Sequence, residues 1–270
     1  MSIANAARFV SFEAIDQVSP SKQTQIQRLE TLNSLINNQS KKIILTTVNS
    51  IIQKVIPNEI IKQNSLSLIV NQKIIFNDII NSLTVLGFQR TSVVREKSEF
   101  SVRGSIIDIF PTDRELPIRL DFFDDKIESI HKFDPLTQKR ISKINDKIAF
   151  NISSELLLND ETINLFRKNF REIFPKYRNS QIYNLFSEKF LPTGGEQFIP
   201  LFYNNLETLF DYICNYSIFL NDEFDTLLEN RLENIEDFYL ARKDEKDSFF
   251  LPPEYLFLNK KKLFEKINKS

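Results

Sequence analysis

Between Phe100 and Arg140, apolar and polar side chains alternate in short runs, and each run stops at turn-forming residues. Side chains on a strand point to opposite faces with a period of two. Phe100 and Val102, followed by Ile118, Leu120 and Phe122, therefore share one face, and Arg103, Arg119 and Phe123 share the other. Gly104 breaks the first run, Pro111-Thr112-Asp113 ends the second, and Asp124-Asp125 separates Phe122-Phe123 from Lys126–Ile130. These residue types supply the backbone angles and local hydrogen bonds of tight turns. The pattern predicts a small antiparallel β meander with two arginines and a phenylalanine on its solvent side. A half-buried sheet with a charged outer face is the plain reading. Two arginines beside an aromatic ring are also the chemistry of a protein-docking surface, more than of a catalytic centre.

The flanking sequence alternates helical and extended patterns. Ser19-Pro20 reads as an N-cap and first-turn proline, after which Ile26, Leu29, Leu32, Leu35 and Ile36 recur at helical spacing to about Asn38. Lys42–Thr47 reads as a short buried strand, followed by a helix from Asn49 that Pro57 interrupts. Leu66–Val70 is extended, and Phe76–Leu86 is helical up to Gly87. From about Asp160 the chain turns mainly helical, with Ile163, Phe166, Phe170, Ile173 and Phe174 forming an apolar stripe expected in a core. Tyr216–Leu220 and Pro252–Leu258 read as further short strands on either side of a charged helix from Asp222 to Arg242, whose trailing Arg242–Asp247 run reads as a mixed-charge loop. The changes of periodicity divide the chain into 1–64, an inserted domain at 65–151, and 152–270.

Composition removes several function classes. Cys214 is the only cysteine and His131 the only histidine, which leaves no intrachain disulfide and no Cys/His metal cluster. The formal net charge is -1, and residues 65–145 hold 12 Lys/Arg against 11 Asp/Glu, so the overall balance shows no nucleic-acid footprint. No apolar run approaches the ~20 residues of a membrane span, and the first residues lack a signal-peptide core, so a cytoplasmic protein is the default expectation. A phosphate-cradling Gly-x-x-x-x-Gly-Lys-Ser/Thr loop does not occur among the four glycines, and Gly194-Gly195 is followed by Glu196, whose charge repels phosphate. Asp121, Asp124, Asp125 and Glu128 are scattered by strand alternation and turn position rather than gathered for magnesium. His131 lacks a catalytic partner in the sequence, and Cys214, near an apolar segment, is expected to be buried. No catalytic, cofactor-binding or metal-ligating residue is assigned.

Val102-Arg103-Gly104, Ile106–Pro111, Pro117–Asp125, Ile127–Ile130 and Phe133–Gln138 together resemble, in order and spacing, the UvrA-binding module of the bacterial transcription-repair coupling factors (Mfd), a module shared with the repair helicase UvrB. Val18-Ser-Pro20 with Gln27-Arg-Leu29, and Thr46–Gln53, resemble the segments that precede it. Gly195-Glu196, Pro200–Tyr203, Leu209–Tyr212 and Leu251-Pro-Pro253 resemble coupling-factor elements that follow, which favours that family over UvrB. Three places depart from the pattern. Ser98 and Ser105 stand where turn glycines are usual, so each stiffens its turn, or is strained if that turn needs a positive φ, and Glu13–Asp16 replaces the usual Pro-Tyr-Asp.

The resemblance implies an α/β chain: a partial helicase-like α/β domain, made of 1–64 and 152–270, with a small α+β domain containing the meander inserted between them. It implies a fragment or split-gene product that starts partway through the helicase-like domain and stops before the polymerase-binding and motor domains. The implied function is recruitment of UvrA to transcription stalled at DNA damage, with Arg103, Arg119 and Phe123 at the family's UvrA-contacting positions. RNA polymerase and DNA would be engaged only through regions absent here. ATP and magnesium are implied only for the missing motor, so this chain is expected to need no cofactor and to be no enzyme. A nucleotide-dependent helicase subunit related to UvrB is the alternative.

Overall fold

The computed structural model describes residues 6–8, 21–37, 43–243 and 249–268. The chain forms two compact units, one built from the residues up to Asn58 together with those from Leu158 onward, the other from Glu59–Leu157. The second unit thus reaches beyond 65–151 at both ends.

In the first unit, β1 (Ala6–Arg8) pairs in parallel with β2 (Ile43–Leu45), and the intervening α1 (Lys22–Asn37) makes the connection that parallel strands require. The proposed Ser19-Pro20 start lies outside the described residues. Ser21 Oγ instead accepts the Thr24 N–H at 3.1 Å at the head of α1. Leu29 and Leu32 are buried on α1, as is Arg28, which donates to Gln53 Oε1 at 3.1 Å and to the Lys54 carbonyl at 2.9 Å. Ile43 and Leu45 are exposed, so β2 is not the buried strand expected. α2 (Val48–Ile52) follows, capped by Thr47, and Pro57 stands, as a residue without an N–H can at a helix start, immediately before α3 (Asn58–Gln63), which from Glu59 onward belongs to the second unit.

After the second unit, α5 (Asp160–Ile173) opens on an Asn159–Thr162 capping box. The helix puts Phe166 and Phe170 into an aromatic core. Phe166 lies 4.7 Å from Phe202 and 4.9 Å from Phe186, and Phe170 lies 5.7 Å from Phe198, centroid to centroid. α6 (Gln181–Ser187), α7 (Phe224–Arg242) and α8 (Lys260–Ile267) complete the unit. Two expected strands are absent. Tyr216–Leu220 has no strand partner among the described residues and leaves Phe219 94% exposed. Pro252-Pro253 lacks the N–H donors of a ladder, and Pro253–Tyr255 forms a 3-10 turn, with a single bridge between Gln53 and Phe257. Cys214 is exposed rather than buried. Most of the Arg242–Asp247 loop lies outside the described residues.

In the second unit, β3 (Ser65–Leu68) pairs antiparallel with β10 (Ile148–Asn151), which brings the two ends of the insertion together. α4 (Phe76–Val85) ends at Gly87, whose φ of +87° and close approach to Ser154 leave no room for a side chain: a Cβ there would sit 2.5 Å from Ser154 Cβ. The meander is larger than expected. β4 (Gln89–Arg90), β5 (Glu99–Arg103), β6 (Ile106–Phe110), β7 (Ile118–Phe123), β8 (Lys126–Phe133) and β9 (Arg140–Ile144) form one six-stranded sheet in sequence order. It is antiparallel except for the β4–β5 pair. Phe100, Ile107, Ile109, Ile118, Leu120, Ile127 and Ile130 are buried on its apolar side. The mixed α/β character and the antiparallel sheet are as read from the sequence.

Candidate functional site

Register decides which polar residues meet. Ser101 opposes Asp108, Asp108 opposes Arg119, and Arg119 opposes His131, so these four form one row across β5 to β8. Arg103, Ile106, Asp121 and Ser129 form the next row. Directly opposed residues are the ones whose side chains interact across a sheet.

Asp108 is the centre of the first row and is 1% exposed. Its Oδ1 accepts from Arg119 Nε at 2.7 Å and its Oδ2 from Arg119 Nη2 at 2.9 Å, a two-pronged match of guanidinium to carboxylate. Arg103 Nη2 donates to the same Oδ2 at 2.5 Å. Arg119 also donates to the Gln138 carbonyl at 3.1 Å and lies 4.5 Å from the centroid of the Phe133 ring. Gln138 is held in turn: its Nε2 donates to the carbonyls of Val94 at 3.0 Å and Pro135 at 2.8 Å. The turn that carries Gln138 is fixed by Asp134, whose Oδ1 accepts from the N–H groups of Thr137 and Leu136. Those two backbone bonds, Thr137 first, hold the Asp134 carboxyl below its ordinary value.

A second cluster lies beside the first. Asp121 accepts from Ser129 Oγ at 2.6 Å and from Arg140 Nη2 at 2.6 Å, with His131 Nδ1 3.3 Å away. Ser, His and Asp meet here, but the serine donates to the aspartate and the same imidazole nitrogen faces both, so the imidazole is not placed to take a proton from the serine and pass charge to the aspartate. Among the described residues no group of three His, Cys, Asp or Glu side chains could hold a metal ion, and no helix is long and apolar enough to cross a membrane.

The three residues singled out in the sequence therefore play different parts. All three occupy the polar side of the sheet by alternation. Phe123, at the end of β7 beside the Asp124-Asp125 turn, is 74% exposed, which is high for a large apolar ring. Arg103 keeps 43% of its side chain exposed while tethered to Asp108. Arg119 is only 8% exposed, which corrects the expectation of a solvent-side guanidinium. Its charge is engaged by Asp108 and its remaining edge by Gln138. The ladder places Asp108 opposite it. Asp108 was missed, although a lone carboxylate inside the apolar Ile106–Phe110 run is the signal of a buried ion pair. Arg140 was missed as well, since only the β8–β9 pairing shows that it reaches Asp121. The resulting surface combines a fixed, half-exposed guanidinium, an exposed aromatic ring and a rigid ionic underlay, which is chemistry for gripping another protein.

Residues 66–152 match the family model described as the UvrB interaction domain. Over 90% of its length the chain is 32% identical to the transcription-repair-coupling factor of Haemophilus influenzae, of which it covers 21%. It is 31% identical over 93% of its length to that of Escherichia coli, covering 22%, and 30% identical over 89% to that of Rickettsia bellii, covering 22%. The chain spans about a fifth of the length of these curated relatives. The resemblance carried by the motif strings thus extends across most of the chain.

Proposed function

We propose that the polar side of the six-stranded sheet is a docking surface for UvrA, and that the chain serves as the repair-recruiting region of a transcription-repair coupling factor. The observation that carries this reading is Phe123, an exposed aromatic ring on the same side as the tethered Arg103, within the segment that matches the UvrB interaction domain. Exposed aromatics and arginines on a rigid support are the residues that dominate binding energy at protein interfaces. Arg119 supports the surface from beneath, as one arm of the Asp108 pair, and so acts as a positioning residue. RNA polymerase and the DNA-translocating motor fall to other regions of a coupling factor.

Nucleotide hydrolysis is outside this role. No phosphate-cradling glycine-lysine loop occurs in the sequence, so turnover of ATP with double-stranded DNA present should equal the buffer blank. A protein-proportional rate surviving repurification would instead favour a helicase subunit. The direct test of docking is equilibrium binding of UvrA to the chain and to its Arg103 and Phe123 variants.

A further inference from the structure

Four cations from three segments of the chain line one groove of the second unit. Arg114 comes from the β6–β7 connection, Lys132 from β8, Lys143 from β9, and Lys147 from the turn into β10. The groove encloses about 540 Å³, and its one acidic lining residue is Asp146. Arg114 Nε is buried and has no hydrogen-bond partner. That nitrogen is closed off from the groove, so what Arg114 can offer a ligand is the charge and outer edge of a guanidinium that is only half-buried as a whole. No aromatic ring lines the groove, which excludes stacking on a base or sugar ring as the source of affinity. A ligand seated there is held by charge.

We propose that this groove binds phosphate groups, from a nucleic-acid backbone or from a free polyphosphate. Lysine ammonium groups meet phosphate as point charges, and the Arg114 guanidinium adds directed donors. The site is separate from the UvrA surface and stands independently of that reading. It also changes the meaning of the charge count, because a near-neutral domain can concentrate its cations in one place.

The test is anisotropy of a labelled short DNA duplex titrated with the full chain across a salt series, with unlabelled tripolyphosphate as competitor. The logarithm of affinity should fall linearly with the logarithm of salt, by ~0.9 per phosphate engaged. K143A should lower that slope by ~1, and the triple variant K132A/K143A/K147A should lose about tenfold or more in affinity at ~50 mM salt. K261A, on α8 of the other unit, should bind as the parent does. Thermal unfolding of each variant checks folding. Displacement of the duplex by tripolyphosphate would show that free polyphosphates share the groove, and binding without displacement would assign it to the backbone. A triple variant within twofold of the parent, or a parent that binds neither ligand at low salt, would overturn the proposal.

Discussion

Asp108 and Arg119 face each other across β6 and β7 and are joined by two parallel hydrogen bonds of 2.7 and 2.9 Å, with the carboxylate 1% exposed. A charge pair removed from water this completely is costly to form and more costly to break, because removing one member strands the other. Arg103, drawn to the same carboxylate, inherits its position from that pair.

The first prediction concerns this pair. D108A and R119A should each destabilise the second unit by about 3 kcal/mol, since each leaves a buried charge without its partner. The double variant should fall short of the summed losses by ~1–3 kcal/mol, as expected for groups in direct contact. Urea unfolding of the four proteins measures the coupling, and strict additivity would show that the two side chains act independently.

Much of this was legible in the sequence and some was not, for identifiable reasons. Strand alternation assigned Arg103, Arg119 and Phe123 to one side correctly, because a two-residue period is enforced by the backbone itself. Exposure was not legible, because it depends on which residue lies opposite, and register is set by the ladder as a whole. Only pairing reveals that Asp108 meets Arg119 while the turn bearing Gln138 closes over it. Likewise, Phe166 and Phe170 entered the core as their spacing required, whereas Tyr216–Leu220 has strand-like composition but, among the described residues, no neighbouring strand to bond with.

Ser98 holds a φ of +68°, the left-handed region that the usual turn glycine of the resembled family would adopt without strain. Its hydroxyl is also buried without a hydrogen-bond partner. S98G should therefore stabilise the unit by about 1 kcal/mol, the relief of αL strain and of an unmet hydroxyl outweighing the added chain entropy of glycine. A raised unfolding midpoint is the expected result, and a lowered one would contradict the strain argument.

Asp134 supplies a pH dependence. Its folded carboxyl sits below the ordinary value because the Thr137 and Leu136 N–H groups bond the charged form. A group depressed on folding contributes stability that is complete above its unfolded pKa and is lost as pH falls through the folded one. The turn bearing Gln138 should therefore loosen at acid pH, seen as faster amide exchange of Thr137 once intrinsic rates are corrected. D134N should show the looser turn already at neutral pH and lose most of the pH dependence.

The surface residues should separate from the buried ones in stability. R103A removes one half-exposed arm of the Asp108 cluster and should cost about 1 kcal/mol or less, and F123A, which uncovers no core, should be close to neutral. R119A, by contrast, weakens any docking through the fold itself.

That separation makes one measurement decisive: UvrA affinity of R103A and F123A, set beside the unfolding midpoint of each. The docking account predicts that both variants fold as the parent does and that each loses ~2 kcal/mol of binding, the size expected at an interface hot spot. Parent-like affinity in two correctly folded variants would contradict it.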